Sequence, residues 1–289
     1  MTAPLSNALD PKGELALGAI LMKNGRLRAD ESERIVRLQR DKGLRFGEAA
    51  VELGVANEHD IRHAMAHQFE YSCLKVGESK VSPSVAAAFN PFSVQAEALR
   101  ALRSQLVLRW FDPAAGRKLL AVVSAGRGEG RTWMAANLAV VFSQLGLRTL
   151  VIDADLRRPA LHTLFGVDND SGLSALLVGR AAPEAIRTVP GLRSLAVLPA
   201  GVVPPNPQEL LSRPALTQLL QQYAKAFDLV ILDTPAGERC ADGVMVSARA
   251  GAALMVARRN ASRMTGVRRY AERLRESGVG LAGSVMNGD

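Results

Sequence analysis

The stretch SAGRGEGRTW, residues 124–133, sets Gly126, Gly128 and Gly130 at alternate positions and follows them with Arg131 and Thr132. Glycines so spaced let backbone N–H groups turn inward around phosphate, and a helix starting there adds partial positive charge. The candidate phosphate contacts are Gly126, Arg127, Gly128, Glu129, Gly130, Arg131, Thr132 and Trp133. The Thr132 hydroxyl stands where such loops ligate Mg²⁺. Two acidic stretches follow. In VIDADLRRP, Asp153 and Asp155 at i and i+2 share one side of an extended strand. In LVILDTP, an apolar run ends in a single carboxylate, Asp233. Each alone is more often turn chemistry. The three in this order point to an ATP–Mg²⁺ site, with Thr132 and Asp233 placed for the metal.

These groups must be held by strands that end where the loop begins. Apolar runs at 119–124, 148–155, 194–201, 228–235, 251–258 and 281–287 have strand length and alternate with helical patterns. Runs apolar on both faces predict a mostly parallel α/β sheet covered by helices on each side, and with the loop the P-loop NTPase class. TWMAANLAVVFSQLG follows the loop as a helix, and SVQAEALRALRSQLVLRW forms an amphipathic helix before the first strand.

The front of the chain repeats itself. Residues 16–39 align with 45–68, bringing Gly18 onto Gly47, Gly25 onto Gly54 and Gln39 onto Gln68. Each unit reads as a short helix, a glycine turn and a longer helix, with the first glycine allowing close backbone approach and the second suiting a helix end. Neither unit buries its apolar face alone, so the two pack as one small helical domain. The expected organisation is a tandem-repeat domain over 13–70, a linker over 71–92 carrying two prolines, and the α/β domain over 93–289. The repeat resembles the N-terminal domain of type II secretion and pilus ATPases, whose motif implies cyclic di-GMP as ligand. The second copy keeps its leading Arg45; the first begins with Ala16. The competing reading is a protein-docking module. His59, His63 and His67 fall on one helical face without an evident carboxylate or thiol to complete a metal shell, which reads as a solvated stripe.

A net charge of +8 and a pI near 10 admit acidic partners without choosing one. With 4% aromatic residues and no recognition motif, nucleic acid is not expected. Cys73 and Cys240 form no CxxC pair, against a disulfide scaffold or a zinc site. No window is long and apolar enough to span a membrane, and the N-terminus has no leader pattern, so the expected location is cytoplasmic.

VIDADLRRP, PAGVVPPNPQELL at 199–211 and ILDTP together resemble the bacterial tyrosine kinases of exopolysaccharide synthesis, over about 92–289. The resemblance implies ATP-dependent phosphorylation of tyrosine. In it Asp153 orients or deprotonates the acceptor hydroxyl, Asp155 and Asp233 position the metal, and Arg131 with the loop holds phosphate. It also implies a homo-oligomer packed through the E-x-x-R-x-x-R helix, here Glu97, Arg100 and Arg103. A membrane chain-length regulator would be the partner that recruits the chain to the inner membrane face. Two departures are visible. Arg131 replaces the loop lysine, keeping the charge on a larger, planar head. The chain ends MNGD, and Tyr71, Tyr223 and Tyr270 are scattered, with packing the plainer role for each, so the acceptor is expected outside the tail. The alternatives are a partitioning-type ATPase switch, whose early loop lysine is absent at Gly126 and Arg127, and an ATP-binding scaffold without transfer.

Overall fold

The computed structural model describes residues 17–288 apart from 24, 59, 62–63, 66–71, 76 and 181–182. His59, His63, His67, Tyr71 and Ala16 thus lie outside the described residues. The chain divides into two units, Met1–Cys73 and Leu74–Asp289.

In the first unit, helices α1 (Leu17–Lys23), α2 (Ala29–Lys42) and α3 (Phe46–Glu52) are described. The repeat is visible in their packing. Leu21, Leu27 and Ile35 are buried in one copy, and Ala50, Ala56 and Ala64, their equivalents in the alignment, are buried in the other. The paired glycines do as expected: a methyl on Gly18 would press into the Phe46 ring, and one on Gly47 into Ile61. Gly25 and Gly54 share φ +67°, the left-handed turn after the first helix of each copy.

The second unit is built on a seven-stranded sheet: β1 (Leu119–Val123), β2 (Thr149–Asp153), β3 (Arg187–Thr188), β4 (Leu195–Leu198), β5 (Leu229–Asp233), β6 (Ala252–Arg258) and β7 (Gly280–Asn287). The strand order is β3-β4-β2-β5-β1-β6-β7, with every pairing parallel except β3 with β4. The antiparallel β3 had no signal in the sequence, being two residues long. Side chains alternate between layers. Val122, Val151 and Ile231 face one core, while Leu150, Ile152, Val230 and Leu232 face the other.

Along the chain, the helices used below are α4 (Ala86–Phe89), α5 (Val94–Arg109), α6 (Arg131–Ser143), α7 (Leu161–Phe165), α8 (Leu173–Leu177), α9 (Pro207–Ser212), α10 (Pro214–Ala226), α11 (Asp242–Ala250) and α12 (Met264–Glu276).

Residues 74–92 correct the expectation of a linker. Leu74, Val81, Val85, Ala87, Ala88 and Phe89 are buried in the same core as β1 and α6. The reason lies in α6, which is buried on nearly every side and so needs a cover beyond the sheet. Residues 81–89 and α5 supply that cover. Asn137, fully buried on α6, fastens it: its Oδ1 accepts the Ala87 N–H at 3.0 Å, and its Nδ2 donates to the Trp133 carbonyl at 3.0 Å. Replacing Asn137 by Ala strands a buried N–H, so Asn137→Ala should cost about 1–3 kcal/mol in urea denaturation. An unchanged midpoint would show that the segment is not held by this bond.

Candidate functional site

The parallel register sets the site. Asp153 pairs directly with Asp233 across β2 and β5, and Val122 of β1 pairs with Asp233 on its other side. The carboxyl ends of the three central strands therefore bring the phosphate loop and both acidic motifs to one edge. In parallel α/β sheets this edge is where ligands bind.

Gly130 caps α6 at φ +90°, and a side chain there would collide with Asn287 of β7. The loop is braced from within and from the side. Glu129, 4% exposed, accepts the Gly126 N–H at 3.0 Å and a hydrogen bond from Ser262. The Asn287 amide donates to the Glu129 carbonyl at 3.3 Å. Glu129 was expected among phosphate contacts, but its carboxylate serves the loop's own shape. Gly126 and Thr132 are half-buried, while Arg127 and Gly128 are exposed at the loop tip. Trp133 donates to the Ser84 carbonyl at 2.7 Å and lines a cavity of about 450 Å³ with Gly128, Gly130 and Asn287.

Arg131 is buried, and its planar head is turned inward onto the protein. Nε donates to the Thr234 carbonyl; Nη1 donates to Ser124 Oγ and to the Gly126 carbonyl at 3.2 Å; Nη2 lies 4.0 Å from Asp155. The guanidinium thus joins the end of β1, the loop and the segment after β5. A lysine could not span all four acceptors, because its single ammonium lacks the fork.

The carboxylates differ in their surroundings. Asp153 is wholly buried and accepts N–H groups from Ala160 (2.9 Å), Leu161 (3.0 Å) and Asp155 (3.2 Å). It therefore shapes the 154–161 turn and the start of α7. Burial and the neighbouring Asp233 charge push its pKa well above the carboxylate range, against the pull of the Leu161 and Ala160 N–H groups. Asp155 is 9% exposed and accepts the Arg157 and Arg158 N–H groups at 3.2 and 2.9 Å. Burial raises its pKa too, opposed by those donors and by Arg131. Asp233 is buried with neither oxygen hydrogen-bonded among the described residues. Burial pushes it up to about 7, against the Arg131 charge.

An orphaned carboxylate beside a loop hydroxyl fits a divalent cation, which would supply the missing partner. Among the described residues no three His, Cys, Asp or Glu side chains form a metal-binding group. Mg²⁺ takes one or two carboxylates and leaves its other positions to water and phosphate, so Asp233 with the Thr132 hydroxyl fits it.

Sequence reasoning missed the second arginine of the site. Arg157 forms a fork with the fully buried Asp242 at the start of α11, Nε to Oδ2 at 2.7 Å and Nη2 to Oδ1 at 3.2 Å. No local pattern signals a pair so far apart in the chain. In the first unit, Arg45 lines a cavity of about 650 Å³ together with Glu48, Glu52 and Glu58. Three carboxylates around one cation give a doubly charged cyclic dinucleotide no support.

Two outcomes follow from these surroundings. Asp233 keeps its proton to about 7 in the folded chain, against 3.8 as its ordinary value. Folding then takes up a proton between these pH values, so stability of the nucleotide-free protein falls as pH rises through that window. Asp233→Asn should flatten this part of the profile, read by urea denaturation at successive pH values. Arg131→Lys should lower stability by about 1–2 kcal/mol through the lost fork bonds, measured the same way without nucleotide.

Comparison with known proteins accords with this geometry. Residues 120–276 match the CobQ/CobB/MinD/ParA nucleotide binding domain. The chain is 34% identical over 210 residues to tyrosine-protein kinase YwqD of Bacillus subtilis, covering 73% of this chain and 88% of that protein. It is 36% identical over 202 residues to tyrosine-protein kinase etk of Escherichia coli K12, covering 70% of this chain but only 28% of that longer protein. It likewise spans 35% of a Klebsiella pneumoniae relative from a cps region. Among solved structures, the kinase domain of the Escherichia coli tyrosine kinase ETK superposes with a TM-score of 0.69 at 34% identity, covering 76% of this chain and 85% of that one. The septum site-determining protein MinD of Pyrococcus horikoshii, complexed with Mg-ADP, gives 0.52 at 25% identity, covering 59% and 70%. The chain belongs to the CobQ/CobB/MinD/ParA nucleotide-binding family and, within it, to the bacterial tyrosine-protein kinases.

Proposed function

We propose that this protein is an ATP-dependent protein tyrosine kinase acting in exopolysaccharide assembly. The observation that carries the reading is the unpartnered, buried Asp233 beside Thr132, set at the mouth of a phosphate loop. Thr132, Asp233 and Asp155 would hold Mg²⁺, and the loop N–H groups with the start of α6 would hold the phosphates. A cation held there would supply neutralising charge to the phosphates. The cavity beside Gly128, Gly130 and Trp133 offers room for the rest of the nucleotide.

In the transfer, the acceptor phenol oxygen bonds to the γ-phosphorus as the bond to ADP oxygen breaks. The phenol proton passes to a carboxylate late in that step. The sequence allowed Asp153 two roles, orienting or deprotonating. Its three backbone donors support the first. Tyr223 and Tyr270 are 7% and 3% exposed, and burial raises the pKa of both, Tyr270 to about 12. Neither suits an acceptor, which leaves Tyr71 or a tyrosine on another molecule.

A chain-length regulator in the membrane is the proposed activator and recruiter. Among the described residues no helix is long and apolar enough to cross a membrane. Self-association is proposed through α5. Arg100 and Arg103 already bond within the chain, to Glu97 and the Pro91 carbonyl and to the Val141 carbonyl. What α5 offers a neighbour is the Glu97 carboxylate with Val94 and Leu108, 88% and 79% exposed. A second reading, an ATP-binding switch or scaffold, is favoured by one feature: the Arg131 charge is committed to the bracket within the loop.

The deciding experiment incubates the full chain with γ-labelled ATP, with and without the regulator's cytoplasmic segment, and analyses phosphoamino acids. Label on tyrosine is expected. ATP bound without label on protein would favour the switch or scaffold. Asp233→Asn should lower turnover by roughly 10²-fold or more. Arg131→Lys should leave turnover equal or higher, since an ammonium freed from the bracket reaches phosphate. A large loss would show that the loop requires the guanidinium.

A further inference from the structure

Between Asp242 and Glu272 the chain carries Arg249, Arg258, Arg259, Arg263, Arg268 and Arg269 and no acid. Five of these lie on the end of β6, the turn after it and the first turns of α12. Arg258, Arg259, Arg263, Arg268 and Arg269 are all exposed. The side chains of Arg259, Arg263, Arg268 and Arg269 have no ion pair or hydrogen bond among the described residues. Glu238 lies beside Gly266, and Glu129 accepts a hydrogen bond from Ser262 within the stretch. Arg127, exposed at the loop tip, adds to the same edge.

This rim is tied to the phosphate loop. The Arg258 N–H donates to Ser262 Oγ at 2.7 Å, and Ser262 in turn donates to Glu129 inside the loop. Arg258 Nη1 reaches the Gly128 carbonyl at 3.4 Å, and the Arg259 N–H donates to the Asn287 carbonyl at 2.9 Å. The charge therefore borders the place where phosphate would sit.

Resting on the kinase reading above, we propose that this arginine rim is the docking surface for the acceptor, and that it selects tyrosines flanked by carboxylates. An acidic segment would be repelled by bound triphosphate, and unpaired guanidiniums at the mouth offset that repulsion and raise the local concentration of acceptor. A lipid surface is the poorer match. The apolar face of α12 is already spent on Tyr270 and Leu274 in the core, so little apolar side chain beyond Met264 remains to enter a bilayer.

The test separates docking from transfer. A fluorescent peptide with Phe flanked by three Glu on each side cannot be phosphorylated and reports binding alone by anisotropy with the full chain. It should bind about tenfold or more tighter than its Gln-flanked counterpart, and the difference should shrink as salt rises. The Arg263→Ala/Arg268→Ala/Arg269→Ala variant should weaken the acidic peptide about tenfold while ATP affinity stays unchanged. Equal affinity for the two peptides, or a salt-independent difference in the unaltered protein, would overturn the proposal whether or not the variant folds. Anionic vesicles retaining the protein while the acidic peptide fails to bind would assign the rim to lipid instead. Tyrosine versions of both peptides report transfer. Binding without label on either would remove the kinase reading and leave the docking surface standing.

Discussion

Charge balance in a nearly dry space governs the carboxyl edge of this sheet. Asp153 and Asp233 face each other in register, with Asp155 and Asp242 close by, and all four are buried or nearly so. Isolated ionised carboxylates in such surroundings are strongly disfavoured. Each is managed differently. Asp153 is surrounded by backbone donors, Asp242 receives the Arg157 fork, Asp155 combines donors with Arg131, and Asp233 is left with a raised pKa. That last group is where an incoming cation gains most, because it meets a carboxylate without a competing hydrogen bond.

The same balance explains how an arginine fits where a lysine would be expected. A lysine concentrates charge on one mobile atom, whereas a guanidinium distributes donors in a plane. Here the plane is used to tie β1, the loop and the Thr234 carbonyl together. The loop gains definition without nucleotide, and phosphate binding then competes with those internal bonds. Such a loop is preorganised in shape, with its cation engaged inside it.

The second unit is also more continuous than its sequence pattern implies. α6 carries the loop's last residues and is buried on nearly every side. A helix of that kind is unstable unless covered, so the segment before α5 is drawn into the core with Asn137 as its polar fastener. The site rests on this cover, since α6 must stay fixed for Gly130 to aim its neighbours' N–H groups. Bracing of Glu129 by Ser262, and of its carbonyl by Asn287, completes the support from the far side.

Much of this was legible in residue order. Alternating strand-length apolar runs, the spaced glycines, and the acids at the ends of β2 and β5 are local features, and local features fix strands, turns and helix starts. The repeat likewise showed itself by period, down to which glycine admits a close neighbour. The linker reading failed because SPSVAAAFNPF has no periodicity of its own; its need to be buried comes from α6, a different part of the chain. Asp153 could be placed at a strand end from its neighbours, but not its three donors, which depend on how 154–161 turns back. The Arg157–Asp242 fork, the Ser262 brace and the arginine rim beside Gly128 are likewise beyond any local pattern. Sequence alone determined which chemical groups stand at strand ends; tertiary structure decided which are satisfied, because burial and hydrogen-bond partners come from segments distant in the chain and only folding brings them together.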